Sequence, residues 1–157
     1  MHKEKGKEWN IVVETKNKKS ELVPNESVGV FKLGNNIKEY LNLNPKYYPK
    51  IDEYTDDMYD FCCPELSIWT NDDGVINSIS CHKECYWQGN NLIKMLFEEF
   101  LSKYKINPDQ SENIYLMVNE RGQNQMVYDF NDLGLQIWVW RKKIVTVIVS
   151  SYKGLDD

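Results

Sequence analysis

Positions 59–69 read YDFCCPELSIW, and positions 128–138 read YDFNDLGLQIW. The matched Tyr, Asp, Phe, Leu, Ile and Trp are all displaced by 128 − 59 = 69 positions. Equal spacing over such a stretch restricts the chain to a fold in which one strand pattern is used twice. Each copy runs through a short turn, NDDG or RKK, into a second β-rich run, INSISC or IVTVIVS. Side chains alternate along a strand. Leu66, Ile68, Leu135 and Ile137 therefore share one face, and Trp69 and Trp138 take the other. The aliphatic face is expected to carry helices. The second hairpin is apolar on both faces, with Trp138 and Trp140 against Val145, Val147 and Val149, which suits central strands. The first hairpin, with Ser67, Asn77, Ser78 and Ser80, suits an edge or half-exposed place.

The flanking segments supply those helices. VGVFKL predicts a strand over 28–33, and Gly34 with two asparagines supplies a turn and an N-cap for a short helix. A second Gly-Asn-Asn, displaced by 89 − 34 = 55, precedes Leu92, Met95, Leu96, Phe100 and Leu101 at helical spacing, predicting a helix over 91–104. NIYLMV predicts an extra strand in the second copy. Residues 1–27 read as a charged lead-in with a strand at 9–14. The fold class expected is α+β, with one domain over 28–157. In it, two related halves, 28–86 and 87–152, each a helix plus an antiparallel strand meander, form a mainly antiparallel sheet.

No segment has an apolar run long enough to span a bilayer, and the charged N-terminus has no signal-like core. A cytoplasmic protein with no membrane partner is expected. In a reducing compartment the four cysteines are expected as free thiols, and the adjacent Cys62 and Cys63 are not expected to pair with each other.

Little in the chain is suited to catalysis. Cys62, Cys63, Cys81, His82 and Cys85 offer thiolate and imidazole ligands of the type zinc takes, and a hairpin between Cys63 and Cys81 would bring them together. A pair of Cys-x-x-Cys units is missing, however, and the second Tyr-Asp-Phe copy has no cysteine, so buried thiols and a surface histidine are the simpler reading. There is no nucleophile elbow, phosphate loop or dinucleotide fingerprint. A non-enzymatic protein without cofactor or resident metal is expected. Basic clusters interleaved with aromatics are also lacking, which argues against direct nucleic-acid binding.

The net charge is −5, and its distribution is uneven. Positions 51–73 hold Asp52, Glu53, Asp56, Asp57, Asp60, Glu65, Asp72 and Asp73 and no Lys or Arg. Tyr54, Tyr59 and Trp69 are interleaved. Such a run repels nucleic acid, steers a basic protein toward it, and provides aromatic anchors for an interface.

With GVFKLGNNIKEYL opening an α/β meander and GLQIWVWRKKIVTVIVSSY near the C-terminus, the chain resembles immunity proteins of bacterial polymorphic-toxin systems, most nearly those of contact-dependent growth inhibition. The resemblance implies an inhibitor that binds the C-terminal toxin domain of a cognate effector one to one. Many such toxins are nucleases, and an acidic inhibitor surface would occlude their basic cleft. No residue transfers from a family motif. On local charge, Glu53, Asp56, Asp57, Asp60, Asp72 and Asp73 form the expected electrostatic set, with Tyr54 and Trp69 as anchors.

Overall fold

The computed structural model describes residues 19–151, so the strand expected at 9–14 lies outside the described residues. Strands β1 (Leu22–Val23), β2 (Ser27–Val28) and β3 (Phe31–Lys32) make a small antiparallel sheet, followed by a 3-10 helix, Ile37–Leu43. Then come β4 (Lys46–Tyr48), β5 (Asp57–Cys62), β6 (Glu65–Thr70) and β7 (Ile76–Cys81). The short hairpin β8 (Tyr86–Trp87) and β9 (Asn90–Asn91) leads to helix α1 (Phe97–Tyr104). The chain closes with β10 (Gln110–Val118), β11 (Arg121–Phe130), β12 (Leu135–Trp140) and β13 (Lys143–Ser150). The architecture is α+β with mainly antiparallel sheets.

The principal sheet has eight strands in the order β10-β11-β12-β13-β7-β6-β5-β4, all antiparallel. It is two four-stranded meanders joined through β7 and β13. Their registers agree: Tyr59 faces Ile68 and Phe61 faces Leu66, while Tyr128 faces Ile137 and Phe130 faces Leu135. A register shift falls after Trp69 in one meander and after Trp138 in the other. At the junction Val147 pairs with Cys81, Ile148 with Ser80 and Val149 with Ile79.

Alternation decides which face is buried. Leu66, Ile68, Ile79, Leu135, Ile137, Val147 and Val149 are buried on one face, in a core with Ile37, Tyr40, Phe97 and Phe100 from the two helices. In the Tyr-Asp-Phe copies the phenylalanines seat the segments that cover this face, β3 in the first copy and helix α1 in the second. Phe61 packs on Phe31 with ring centroids 4.7 Å apart, and Phe130 on Phe100 at 5.7 Å. Tyr128 stacks on Phe97 at 4.1 Å.

Several boundaries differ from the sequence expectation. Ser20, Leu22 and Ser27 are already buried, upstream of Val28. The segment 28–33 is not one strand, because Gly29 (φ 59) turns the chain between β2 and β3. The helix predicted over 91–104 begins only at Phe97. Residues 94–97 instead hydrogen-bond to the start of β13: Lys94 N to Ile144 O at 2.7 Å, Ile144 N to Met95 O at 2.9 Å and Phe97 N to Lys142 O at 2.9 Å. Gly34, Asn35 and Ile37 make the same contacts with Ile76 and Gly74 at 2.8–3.0 Å. Lys94 (φ 75), and not Gly89, thus stands where Gly34 (φ 87) stands. The first hairpin, β6 and β7, is internal, and the edges are β4 and β10. Its serines are accommodated because they project from the face that no helix covers.

Candidate functional site

That second face bears Trp69, Trp138 and Trp140, all partly buried, among shorter polar side chains. Two hollows lie along it and share Trp69 and Ile148, so they form one trough. The first, about 600 Å³, is walled by Tyr48, Tyr54 and Asp56 and floored by Met58, Trp69 and Gln136. The second, about 1060 Å³, lies under the far end of the β10–β11 hairpin and is lined by Leu116, Val118, Gln125, Trp138, Trp140 and Arg141. That hairpin overreaches the sheet: β10 pairs with β11 as far as Val118–Arg121, whereas β12 pairs with β11 only from Met126 onward.

The open face is tied by cross-strand bonds at matching positions. Ser67 Oγ donates to Asp60, and Gln136 Nε2 donates to Asp129 at 3.0 Å. Trp138 Nε1 donates to Gln136 Oε1 at 2.8 Å, which fixes the indole. The aspartate of each Tyr-Asp-Phe copy is therefore an acceptor on the open face, while its neighbours face the core.

Most of the acidic run, though not Glu65, gathers at one end. The loop between β4 and β5 carries Glu53, Tyr54 and Asp56, all exposed, with Ile51 and Tyr54 at 90% and 88% exposure. It stands beside the β6–β7 turn, because Lys50 Nζ reaches Asp72 Oδ1 at 2.7 Å and Asn77 Nδ2 donates to Asp56 Oδ2 at 2.6 Å. Asp57 accepts from the Tyr47 hydroxyl and from the Lys50 backbone N–H, both at 2.9 Å. Those contacts push the Tyr47 hydroxyl up through its bond to Asp57, and the Lys50 ammonium up through its bond to Asp72. Lys50 immediately precedes the acidic run and partly neutralises it, a contribution that the run's own composition conceals.

The expected residues are thus brought together in part. Tyr54 and Asp56 wall the first hollow, Glu53, Asp72 and Asp73 are exposed on the same loop and the adjoining turn, and Trp69 lies within the trough. Asp57 is occupied in bracing the loop, and Asp60 is bonded to Ser67 between β5 and β6, outside the lining of both hollows. Glu53 and Asp73 have no side-chain partner among the described residues. Sequence reasoning missed Trp138, Trp140 and Gln136. Their signal was present, since the open-face positions of the second copy alternate with its aliphatic ones.

The opposite end is basic. His82, Arg121 and Arg141 line the second hollow, and the Arg141 guanidinium lies 4.4 Å from the centroid of the Trp140 ring. Glu65 accepts from Lys83 at 3.2 Å and contacts His82 at 3.3 Å, and these partners hold its carboxyl below the usual range.

The cysteines divide into two environments. Cys62 and Cys63 are exposed with sulfurs 3.2 Å apart, and both are free thiols. Their mutual hydrogen bond raises Cys62. Cys81 and Cys85 are buried in the core, where the Cys81 thiol and burial together hold Cys85 well above the ordinary thiol range. His82 follows the end of β7, is exposed and lines the second hollow, whereas Cys81 is buried. Among the described residues no three His, Cys, Asp or Glu side chains are grouped as metal ligands, so the five-residue zinc set is not assembled.

Compared with known proteins, the sequence matches no family model and no curated protein, and no solved structure matches the chain. Among the described residues no helix is long and apolar enough to cross a membrane.

Proposed function

We propose that this chain is a cytoplasmic, non-enzymatic immunity protein that binds a cognate bacterial toxin domain one to one and blocks a basic cleft, most simply that of a nuclease. One observation carries the reading: the acidic loop walls an aromatic trough and is tied through Lys50 and Asp72 to the acidic turn beside it. Exposed carboxylates steer a basic partner and compete with phosphate for its cleft, and Tyr54 with Trp69 provides apolar contact area. Glu53, Asp56, Asp72 and Asp73 carry the electrostatic part. Asp57 and Asp60 act indirectly, by holding the loop and the β5–β6 pair. We further infer that the two meanders, each preceded by a hairpin and a helical segment, are related halves of one duplicated unit. Matching registers, register shifts and helix-start contacts support that reading.

The reading requires a neighbouring gene that encodes a toxin domain; the test is co-expression with that domain, followed by calorimetry on the purified pair. Growth rescue and tight binding are expected, with both lost when Glu53, Asp56, Asp72 and Asp73 are replaced by Ser. Undiminished rescue by that variant would remove the acidic rim from the mechanism.

A further inference from the structure

The two edges of the principal sheet are unlike. At one edge β4 is three residues long, contains Lys46 and is bracketed by Pro45 and Pro49. Short length, lysine and proline are the devices by which a sheet edge is kept from pairing. At the other edge β10 is nine residues long and pairs with β11 without a register shift. It contains no Lys, Arg or Pro, and positions 114–118 are five consecutive apolar residues, Ile-Tyr-Leu-Met-Val. Tyr115 and Met117 are 66% and 61% exposed, while Ile114, Leu116 and Val118 are partly buried. The outward backbone N–H and C=O groups of β10 have no strand partner among the described residues. A long, apolar, unprotected edge of this kind is a pairing surface.

The geometry points to a second copy of this chain as its occupant, in a twofold dimer whose β10 strands run antiparallel and join two eight-stranded sheets. Charge supports self-pairing. Glu112 is the one charged residue of β10. A pairing centred on Ile114 sets Glu112 opposite the other copy's Leu116, and Tyr115 opposite Asn113, so no like charges meet. The molecule already contains an antiparallel junction of the same form, where the last strands of its two meanders pair about Ile148 and Ser80. Because β4 is blunted, a β4–β10 contact does not propagate, and assembly stops at two copies. This inference does not rest on the toxin-binding reading, since the acidic rim lies at the other side of the sheet from β10.

The experiment uses the full chain, with mass measured by light scattering after size exclusion over two decades of concentration. The Tyr115→Lys, Met117→Lys double variant is run beside it, both positions being exposed. A dimeric parent and a variant of half that mass, with unchanged circular dichroism, are expected. Hydrogen exchange on the parent gives a reading that needs no variant: amides of 110–118 become protected as concentration rises, while those of β4 do not. A monomeric parent at every concentration, or a dimer whose 110–118 exchange is independent of concentration, overturns the proposal.

Discussion

The meander β4–β7 and the meander β10–β13 use the same registers, the same register-shift position and the same placement of Tyr, Asp and Phe, yet they end differently. The first ends in a blunted edge and an acidic loop. The second ends in a long apolar edge that overhangs the trough. Apart from Trp69 and Trp138, which line the hollows, what the two share faces the core or ties neighbouring strands together; what differs is on the rim and edges. The shared core positions are thus explained by packing, and the differing ones, around Trp69, are where binding is to be sought.

The sharpest way to break the equivalence is to delete its matched core residues. Phe61→Ala and Phe130→Ala each remove a buried ring packed on a helical or hairpin aromatic. Each is expected to cost about 3–5 kcal/mol in chemical denaturation. A loss confined to one of the two would show that the meanders are not energetically alike.

A smaller effect is expected where they diverge. Gly134 (φ 60) lies where a Cβ would overlap the Ser150 carbonyl and approach Asn25 Oδ1 at 2.6 Å, whereas a Cβ on Gly89 (φ 83) meets nothing within 4 Å. Gly134→Ala should lose roughly 1–3 kcal/mol from backbone strain with a further contribution from overlap, and Gly89→Ala the strain alone. Equal losses would show that the close approach in the second meander is relieved at no cost.

Ser67→Ala and Gln136→Ala test the two cross-strand bonds, with about 0.5–1.5 kcal/mol expected for each. Gln136→Ala should additionally shift Trp138 fluorescence, because the indole loses its acceptor.

The first half also contains a pH-sensitive group that its counterpart lacks. Cys85 is held protonated in the folded chain. Its contribution to stability is fully present below the ordinary thiol pKa of about 8.5 and falls as pH rises from there toward the higher folded value. Melting temperature should decline with alkaline pH, and Cys85→Ala should flatten part of that decline.

Much of this was legible from the sequence. Equal spacing between the Tyr-Asp-Phe copies located β5, β6, β11 and β12, and alternation assigned Leu66 and Ile68 inward and Trp69 outward. The helix start in the second half was misread. Gly89-Asn90-Asn91 copies the letters of Gly34-Asn35-Asn36, but its place in the fold is taken by Lys94-Met95-Leu96, a turn with Lys94 at φ 75 that backbone bonds to Ile144 and Lys142 hold in place. Backbone bonds to a distant strand leave no local pattern to read. The acidic run was visible, but its division into exposed carboxylates and the internally bonded Asp57 and Asp60 depends on Tyr47, the Lys50 N–H and Ser67, which the pairing of β5 with β4 and β6 brings alongside.

The central claim is that the acidic rim of the first meander, and not acidity in general, binds the toxin. Calorimetry with the proposed cognate toxin domain should compare the Glu53, Asp56, Asp72, Asp73→Ser variant with one in which Glu112, Glu120 and Asp132 of the second meander are replaced by Ser. The account predicts a large loss of affinity and a weaker salt dependence for the first variant, and near-parental binding for the second. Equal losses in the two, or a loss only in the second, would contradict it.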